Sequence, residues 1–130
     1  MRLTLSKSEI LRGYKSFTRV MSTGKSISAP PIRCFYVHCT RSHPRIRAGF
    51  SVSRTYRKAV DRNRVKRLMR ESFRLGKHPI IQECVERDWS FDIVFMYIGQ
   101  QSKPLEQATL RDVRPAVEKS MTMILTGKAG

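Results

Sequence analysis

The stretch RAGFSVS at residues 47–53, followed by the helical pattern of residues 57–75, decides the fold. In the first part apolar and polar side chains alternate, as in a strand that is buried on one face. In the second part apolar side chains recur at helical spacing, while basic side chains crowd the opposite side. The apolar side comprises Val65, Leu68, Met69, Ser72 and Phe73, and the basic side comprises Asn63, Lys66, Arg67, Arg70 and Arg74. A strand that leads directly into an amphipathic helix predicts helices packed on a sheet.

The rest of the chain supplies two more helices and two or three more strands. These are helices at residues 7–22 and about 112–125, strands at residues 32–40 and 91–98, and an extra short strand near residues 26–28. The strands at 32–40 and 47–53 are expected to pair as a hairpin, and Gly76 and Pro79 to end the basic helix. The order α-β-β-(β)-α-β-α predicts an α+β, two-layer sandwich with a mixed central sheet of about four strands. We expect one domain over residues 1–130, with an ordered core at about residues 3–125.

Charge is the most informative property of the composition. The chain has 26 Lys and Arg against 10 Asp and Glu, a formal net charge of +16. Residues 41–78 hold 13 of these basic residues and only two acids, so the positive charge is concentrated in one segment. Such a concentration favours a nucleic-acid partner over an acidic membrane. The apolar runs are too short for a membrane span, and the N-terminus lacks the apolar stretch of a signal peptide, which predicts a cytoplasmic protein.

The residues that could do chemistry are scattered along the sequence. The acids form no cluster, and His38, His43 and His78 share no common spacing, so general acid-base or two-metal catalysis has no candidate site. Cys34, Cys39 and Cys84 are an odd number without CxxC spacing, which argues against a zinc site or a disulfide framework. We therefore expect no catalytic residue and no metal ligand in the protein.

The basic helix carries the motif AVDRNRVKRLMRE at residues 59–71, which resembles the RNR helix of the protein component of bacterial ribonuclease P. The strand at 47–53 and the N-terminal helix with Phe17 are similar to the same family, so the resemblance covers most of residues 3–125. Two features depart from the family pattern. Arg57-Lys58 occupy positions where many members carry Gly-Asn, and Met21 stands where many carry Phe.

The resemblance implies a subunit of a ribonucleoprotein that removes the 5′ leader from precursor tRNA. In that family the RNA is the catalyst and binds Mg²⁺, so the protein alone is not expected to cleave. The partners would be the catalytic RNA and precursor tRNA, with no membrane and no protein partner. The residues implied to face RNA are Arg54, Arg57, Lys58, Arg62, Asn63, Arg64, Lys66, Arg67 and Arg70.

The resemblance also implies a second site and an unusual topology. Phe17, Met21 and Tyr36 would line a cleft on the sheet that holds the single-stranded leader, because bases stack on aromatic side chains with little dependence on sequence. The fold of the family contains a left-handed β-α-β crossover, against the general right-handed rule.

Two other classes of nucleic-acid binder remain open from the residues alone. A ribosomal or other structured-RNA protein would share the basic helix face but would not need the aromatic cleft. A duplex-DNA binder would place residues 57–74 in a major groove, which the mixed sheet and the lack of a compact helix before it disfavour. A membrane-surface role is weaker still, since the basic helix buries its apolar side in the core.

Overall fold

A four-stranded mixed sheet with helices on both faces forms the body of the protein. In chain order its elements are α1 (Tyr14–Thr23), β1 (Lys25–Ala29), β2 (Ile32–Cys39), β3 (Ile46–Val52), α2 (Ala59–Arg87), β4 (Ser90–Tyr97) and α3 (Leu110–Thr126), with 3-10 turns at Lys7–Glu9 and Leu105–Gln107. The computed structural model describes residues 5–100 and 104–127; the first two residues of the predicted core, 3 and 4, lie outside this part. The predicted α+β class and mixed four-stranded sheet are confirmed, and the short strand near residues 26–28 is β1.

The strands lie in the order β1-β2-β4-β3. β2 pairs antiparallel with both β1 and β4, and β3 pairs parallel with β4. The predicted hairpin between β2 and β3 is therefore wrong. The chain between them is bound to the start of β4, because the amide of Phe91 donates to the carbonyl of Arg45 (2.8 Å) and the Arg41 side chain donates to the carbonyl of Phe91 (3.2 Å). These bonds place β4 between the two strands.

β3, α2 and β4 form the β-α-β crossover that the family resemblance implies. The left-handedness of this crossover stays a prediction. α2 runs past Gly76 and Pro79 to Arg87, so the predicted end of this helix is wrong. Its second half carries buried Lys77 and Cys84, and Ile80 and Ile81 pack against the core, so tertiary packing outweighs the weak helix propensity of Gly and Pro.

The two faces of the sheet are covered differently. α2 and α3 pack on one face and enclose the main core, which includes Val65, Met69 and Phe73 as predicted for the apolar side of the basic helix. The short α1 lies on the other face, where Val20, Leu11 and Val94 form a smaller cluster with Phe17 and Met21 at its edge. This second face is only partly covered, which leaves room for a cleft. Among the described residues, no helix is long and apolar enough to cross a membrane.

The N-terminal segment is not the single helix predicted over residues 7–22. A 3-10 turn is followed by extended chain whose Leu11 amide donates to the Ala48 carbonyl at the edge of β3 (2.9 Å), and α1 starts only after Gly13, with φ at 93°. A capping box closes the start of this segment, since the Ser6 amide donates to the Glu9 carboxylate (3.0 Å). The Glu9 carboxylate also accepts from buried Lys77 (2.7 Å), which holds this segment against α2.

Candidate nucleic-acid interface

A group of polar side chains lies at the start of α2 and in the loop before it. Its members are Arg54, Arg57, Lys58, Asn63, Lys66, Arg67 and Arg70, and we call this group the basic surface; all are exposed except Lys66, which is half-buried. All seven were predicted from the sequence. Arg67 pairs with no carboxylate in the part of the chain that the structure describes, and Arg70 lies over the ring of Phe50 with its Cζ 6.0 Å from the ring centre. An anionic partner would relieve the repulsion between these charges.

Arg62 and Arg64 use their guanidinium groups within the protein. Arg62 Nη1 donates to the carbonyls of Ser53 (2.9 Å) and Tyr56 (2.8 Å), which fixes the loop between β3 and α2. Arg64 donates to three carbonyls of residues 105–108 at 2.6–3.0 Å, which fixes the 3-10 turn before α3. The sequence indicated that both arginines face RNA. The structure makes them the anchors of two loops that flank the basic surface.

A groove runs along α2 beside the basic surface. It is lined by Leu5, Arg64, Arg67, Leu68, Arg70, Glu71 and Arg74. Arg74, which the sequence placed on the basic side of the helix but not in the site, forms an ion pair with Glu71, with Nε 2.9 Å from Oε2. The positive charge of the groove therefore comes chiefly from Arg64, Arg67 and Arg70.

A cleft of about 690 Å³ opens between α1 and the ends of β3 and β4. It is lined by Tyr14, Phe17, Thr18, Met21 and Ser22 from α1, by Ser51, Val52 and Met96 from the sheet, and by Ser53, Arg54 and Arg62 at the rim. Phe17 and Met21 lie in this cleft, as predicted. Arg54 belongs to both the basic surface and the rim, so the two surfaces are continuous.

Gly49 on β3 sets the position of the Phe17 ring. A Cβ atom at this residue would lie 2.5 Å from Phe17 Cζ and 2.7 Å from Cε1, so the ring can rest on the sheet only because the side chain is absent. A glycine inside a strand is a signal of such a close approach.

The predicted third member of the cleft, Tyr36, is misplaced. It is only 3% exposed and packs in the main core on the other face of the sheet, with its ring 5.9 Å from that of Phe91. Successive side chains of a strand point to opposite faces, so its neighbour Phe35 packs on the face of α1 instead. The aromatic residue that sequence reasoning missed is Tyr14, which is 78% exposed at the cleft.

Asp92 is surrounded by three arginines that are distant from it in sequence. Its buried carboxylate accepts two bonds from Arg47 (2.9 and 2.8 Å) and one from Arg19 (2.5 Å), and Arg41 Nη1 lies 3.1 Å from Oδ1. Burial by itself raises the pKa of Asp92, but these bonds and charges outweigh it and lower the pKa to about 2. The basic partners come from α1, β3 and the chain before β3, so sequence distance concealed them.

Within residues 5–100 and 104–127, no group of three or more His, Cys, Asp or Glu side chains could hold a metal ion. A basic helix face that continues into a cleft with an exposed aromatic ring is instead the arrangement of a nucleic-acid-binding protein.

Comparison with known proteins makes this class specific. A family model described as Ribonuclease P matches residues 5–124. The ribonuclease P protein component of Porphyromonas gingivalis is 35% identical over 126 residues, which cover 92% of this chain and 85% of that protein. The corresponding protein of Dictyoglomus thermophilum is 33% identical, with 82% of each chain covered. Among solved structures, the RNase P protein from Thermotoga maritima has a TM-score of 0.66 at 27% identity, covering 94% of this chain and 99% of that one.

The chain therefore belongs to the ribonuclease P protein family. The predicted role as a protein subunit of ribonuclease P, an endoribonuclease of tRNA processing, is confirmed at this level.

Proposed function

We propose that the basic surface binds the catalytic RNA of ribonuclease P while the cleft holds the single-stranded 5′ leader of precursor tRNA. In this arrangement the protein raises the affinity of the ribonucleoprotein for its substrate and promotes removal of the leader. The chemistry stays with the RNA subunit, which binds most of the Mg²⁺. The protein contributes charge neutralisation and positioning.

The observation that carries this proposal is the continuity of the cleft with the basic surface. Arg54 lies in both, and Arg62 anchors the loop between them while lining the cleft. A strand of RNA that leaves the cleft thus meets the basic surface without crossing an uncharged gap. Phosphates prefer such arginines because the guanidinium group can engage two oxygens at once.

The chemistry of the cleft supports an unpaired strand as its occupant. Phe17 and exposed Tyr14 offer two rings one turn apart on α1, and stacking on such rings contributes about 1–3 kcal/mol per base. Met21 and Met96 supply adaptable apolar contact, and the serines at 51 and 53 supply hydrogen-bonding groups. These contacts depend little on base identity, as a surface for variable leaders requires.

The direct test is reconstitution. A bacterial ribonuclease P RNA at low Mg²⁺ and 5′-labelled precursor tRNA are incubated with and without the protein, and the protein is also incubated with the substrate alone. We expect cleavage at the mature 5′ end only when RNA and protein are both present. A protein that binds RNA but never stimulates cleavage would instead be a structural RNA-binding protein, and stronger binding to duplex DNA than to precursor tRNA would indicate a DNA binder.

The cleft is tested separately with Phe17→Ala. This variant should bind the catalytic RNA normally and lose preference for precursor over mature tRNA, because mature tRNA has no leader to stack. Tyr36→Phe is the matched control, since Tyr36 lies in the core on the other face. Equal losses for precursor and mature tRNA in Phe17→Ala, in a protein with wild-type circular dichroism, would contradict the assignment.

The basic surface is tested by comparing Arg67→Ala with Arg64→Ala. Arg67 is exposed, so its loss should weaken RNA binding by about 1–3 kcal/mol and lower the salt slope by about one, without affecting thermal stability. Arg64 anchors residues 105–108, so its loss should destabilise the fold by about 1.5–3 kcal/mol. A salt slope that Arg67→Ala leaves unchanged would remove Arg67 from the interface.

A further inference from the structure

A second positive cluster lies at the other end of the partly covered face. It consists of Arg19, Arg41 and Arg47 around the single carboxylate of Asp92, which we call the Asp92 cluster. Three guanidinium groups and one carboxylate leave two positive charges in excess. The nearby Asp88 does not offset them, because it forms its own ion pair with Arg45 (2.8 Å).

The cluster contains more cations than Asp92 needs. Arg47 alone satisfies both carboxylate oxygens through a two-pronged contact, Nε to Oδ1 at 2.9 Å and Nη2 to Oδ2 at 2.8 Å. Arg19 and Arg41 then add further positive charge to a carboxylate that is already paired. Like charges gathered in this way repel each other, and a second anion would relieve the repulsion.

The unused hydrogen-bond donors of the cluster face solvent. Arg19 donates through Nη2 only, and Arg47 through Nε and Nη2, among the described residues. The Arg19 side chain is 46% exposed and that of Arg47 36% exposed, so the remaining N–H groups of both are accessible. Arg41 is more fully used, since it also donates to the carbonyls of Pro44 and Phe91.

The Asp92 cluster is separate from the cleft. Arg47, Gly49 and Ser51 follow one another along the same face of β3, and the Phe17 ring rests over Gly49, between the cluster and the cleft. Four residues of strand place Arg47 about 13 Å from Ser51. Arg19 also projects from α1 on the side away from the cleft, since residues 14, 17, 18, 21 and 22 line it.

We propose that the Asp92 cluster is a binding site for an RNA backbone phosphate, with Arg19 and Arg47 as its ligands and Asp92 holding them in place. The proposal rests on the proposed function in taking RNA as the partner. The phosphate could belong to the catalytic RNA or to precursor tRNA, since the recognising chemistry is the same. A guanidinium group can bind two phosphate oxygens at once, and the buried Asp92 carboxylate orients the guanidinium groups of Arg19 and Arg47 before the phosphate binds.

The test uses Arg19→Gln, because Arg19 is the most exposed member and its loss leaves both oxygens of Asp92 bound. Binding is measured against KCl concentration in two arms, the full chain with ribonuclease P RNA and the reconstituted holoenzyme with precursor tRNA. In one arm the variant should bind roughly three- to tenfold more weakly at low salt, with a salt slope lower by about 0.7–0.9. The arm that responds identifies the source of the phosphate.

Two further variants separate a phosphate site from a structural network. Arg87→Gln removes the same charge from an arginine of similar exposure (44%) that pairs with Glu83 on α2, and should leave both slopes unchanged. Arg19→Lys keeps the charge and should retain the salt slope. Unchanged slopes for Arg19→Gln in both arms, or an equal fall for Arg87→Gln, would overturn the proposal. These slopes report binding alone, so they remain informative even if the wild-type protein fails to stimulate cleavage.

Discussion

The missing Cβ of Gly49 determines where the ring of Phe17 lies, and so shapes the cleft. In Gly49→Ala the new methyl group would meet Phe17 Cζ at 2.5 Å, and the ring would have to leave the sheet. We expect this variant to fold, to lose about 1–3 kcal/mol of stability, and to lose part of its preference for precursor over mature tRNA. Urea unfolding and competitive cleavage of the two RNAs measure the two effects.

A second glycine substitution serves as the control. At Gly76 in α2 a Cβ would approach the flexible side chain of Glu118 at 3.0 Å and the end of Met121 at 3.6 Å, and Ala favours the helix. Gly76→Ala should therefore leave the preference for precursor unchanged. If Gly49→Ala also left it unchanged, the position of the Phe17 ring would not matter for leader binding.

Asp92 makes stability depend on pH in the acid range. Its pKa of about 2 in the folded protein lies below the usual value of 3.8, so its contribution is complete above about pH 4 and disappears as the pH falls towards 2. The contribution is on the order of 2 kcal/mol. Urea unfolding of the wild type between pH 5 and pH 2.5 should show this loss.

Two variants test whether this loss of stability at low pH comes from Asp92. In Asp92→Asn the free energy of unfolding should fall by about 2 kcal/mol less over the same pH range, because the amide does not titrate. In Arg19→Gln, which keeps the carboxylate but removes one of its partners, the folded-state pKa should lie closer to 3.8, so the total loss should be smaller and should end at higher pH. An identical pH profile for wild type and Arg19→Gln would show that Arg19 does not stabilise the charged carboxylate.

Individual site residues were predictable where a helix presents them and less so where a strand does. Asn63, Lys66, Arg67 and Arg70 follow from a wheel of 100° per residue, which tolerates small errors in where the helix begins, whereas Arg54, Arg57 and Lys58 were implied by the family resemblance. Tyr36 was misplaced because one residue along a strand reverses the face of the sheet. The roles of Arg62 and Arg64 depend on carbonyls of other segments, and a linear pattern does not show which carbonyls come near.

Among the elements, α2 combines a regular helix with an internal proline. Pro79 is exposed and lies well inside the helix, where it has no N–H to donate and its ring crowds the preceding turn. Pro79→Ala should restore the missing hydrogen bond and stabilise the protein by about 1–3 kcal/mol. Thermal unfolding measures this effect, and RNA binding should not change because the basic surface lies in the first half of the helix. A lower melting temperature would mean that the packing of Ile80 and Ile81 needs the proline.

The types of the elements were predictable from periodicity, whereas their ends and pairings were not. The strands near residues 32–40, 47–53 and 91–98 all exist, with shifts of one residue at their ends. The two errors on helix ends have a common cause, because contacts with distant residues override local signals. Leu11 joins the edge of β3 instead of extending a helix, and the buried Lys77 and Cys84 carry α2 past its glycine and proline.

At the scale of the whole molecule, the net charge of +16 opposes folding of the isolated protein. Raising KCl from 0.05 to 0.5 M should increase the melting temperature of the free protein, because salt screens repulsion within the basic surface more than it weakens the buried contacts of Asp92. Ribonuclease P RNA at low salt should raise it further by binding only the folded state. A melting temperature that falls with salt would show that attraction between charges dominates.

The position of β4 between β2 and β3 constrains how the chain can fold while it is being synthesised. Within the sheet β3 pairs with β4, and one edge of β2 also pairs with β4. Because β4 spans residues 90–97, about three quarters of the sequence must emerge from the ribosome before the sheet can close. Until then the arginines of α2 belong to a chain without its core and can attract any nearby polyanion. The late strand thus completes the sheet and gives the arginines of α2 their fixed arrangement on a folded domain.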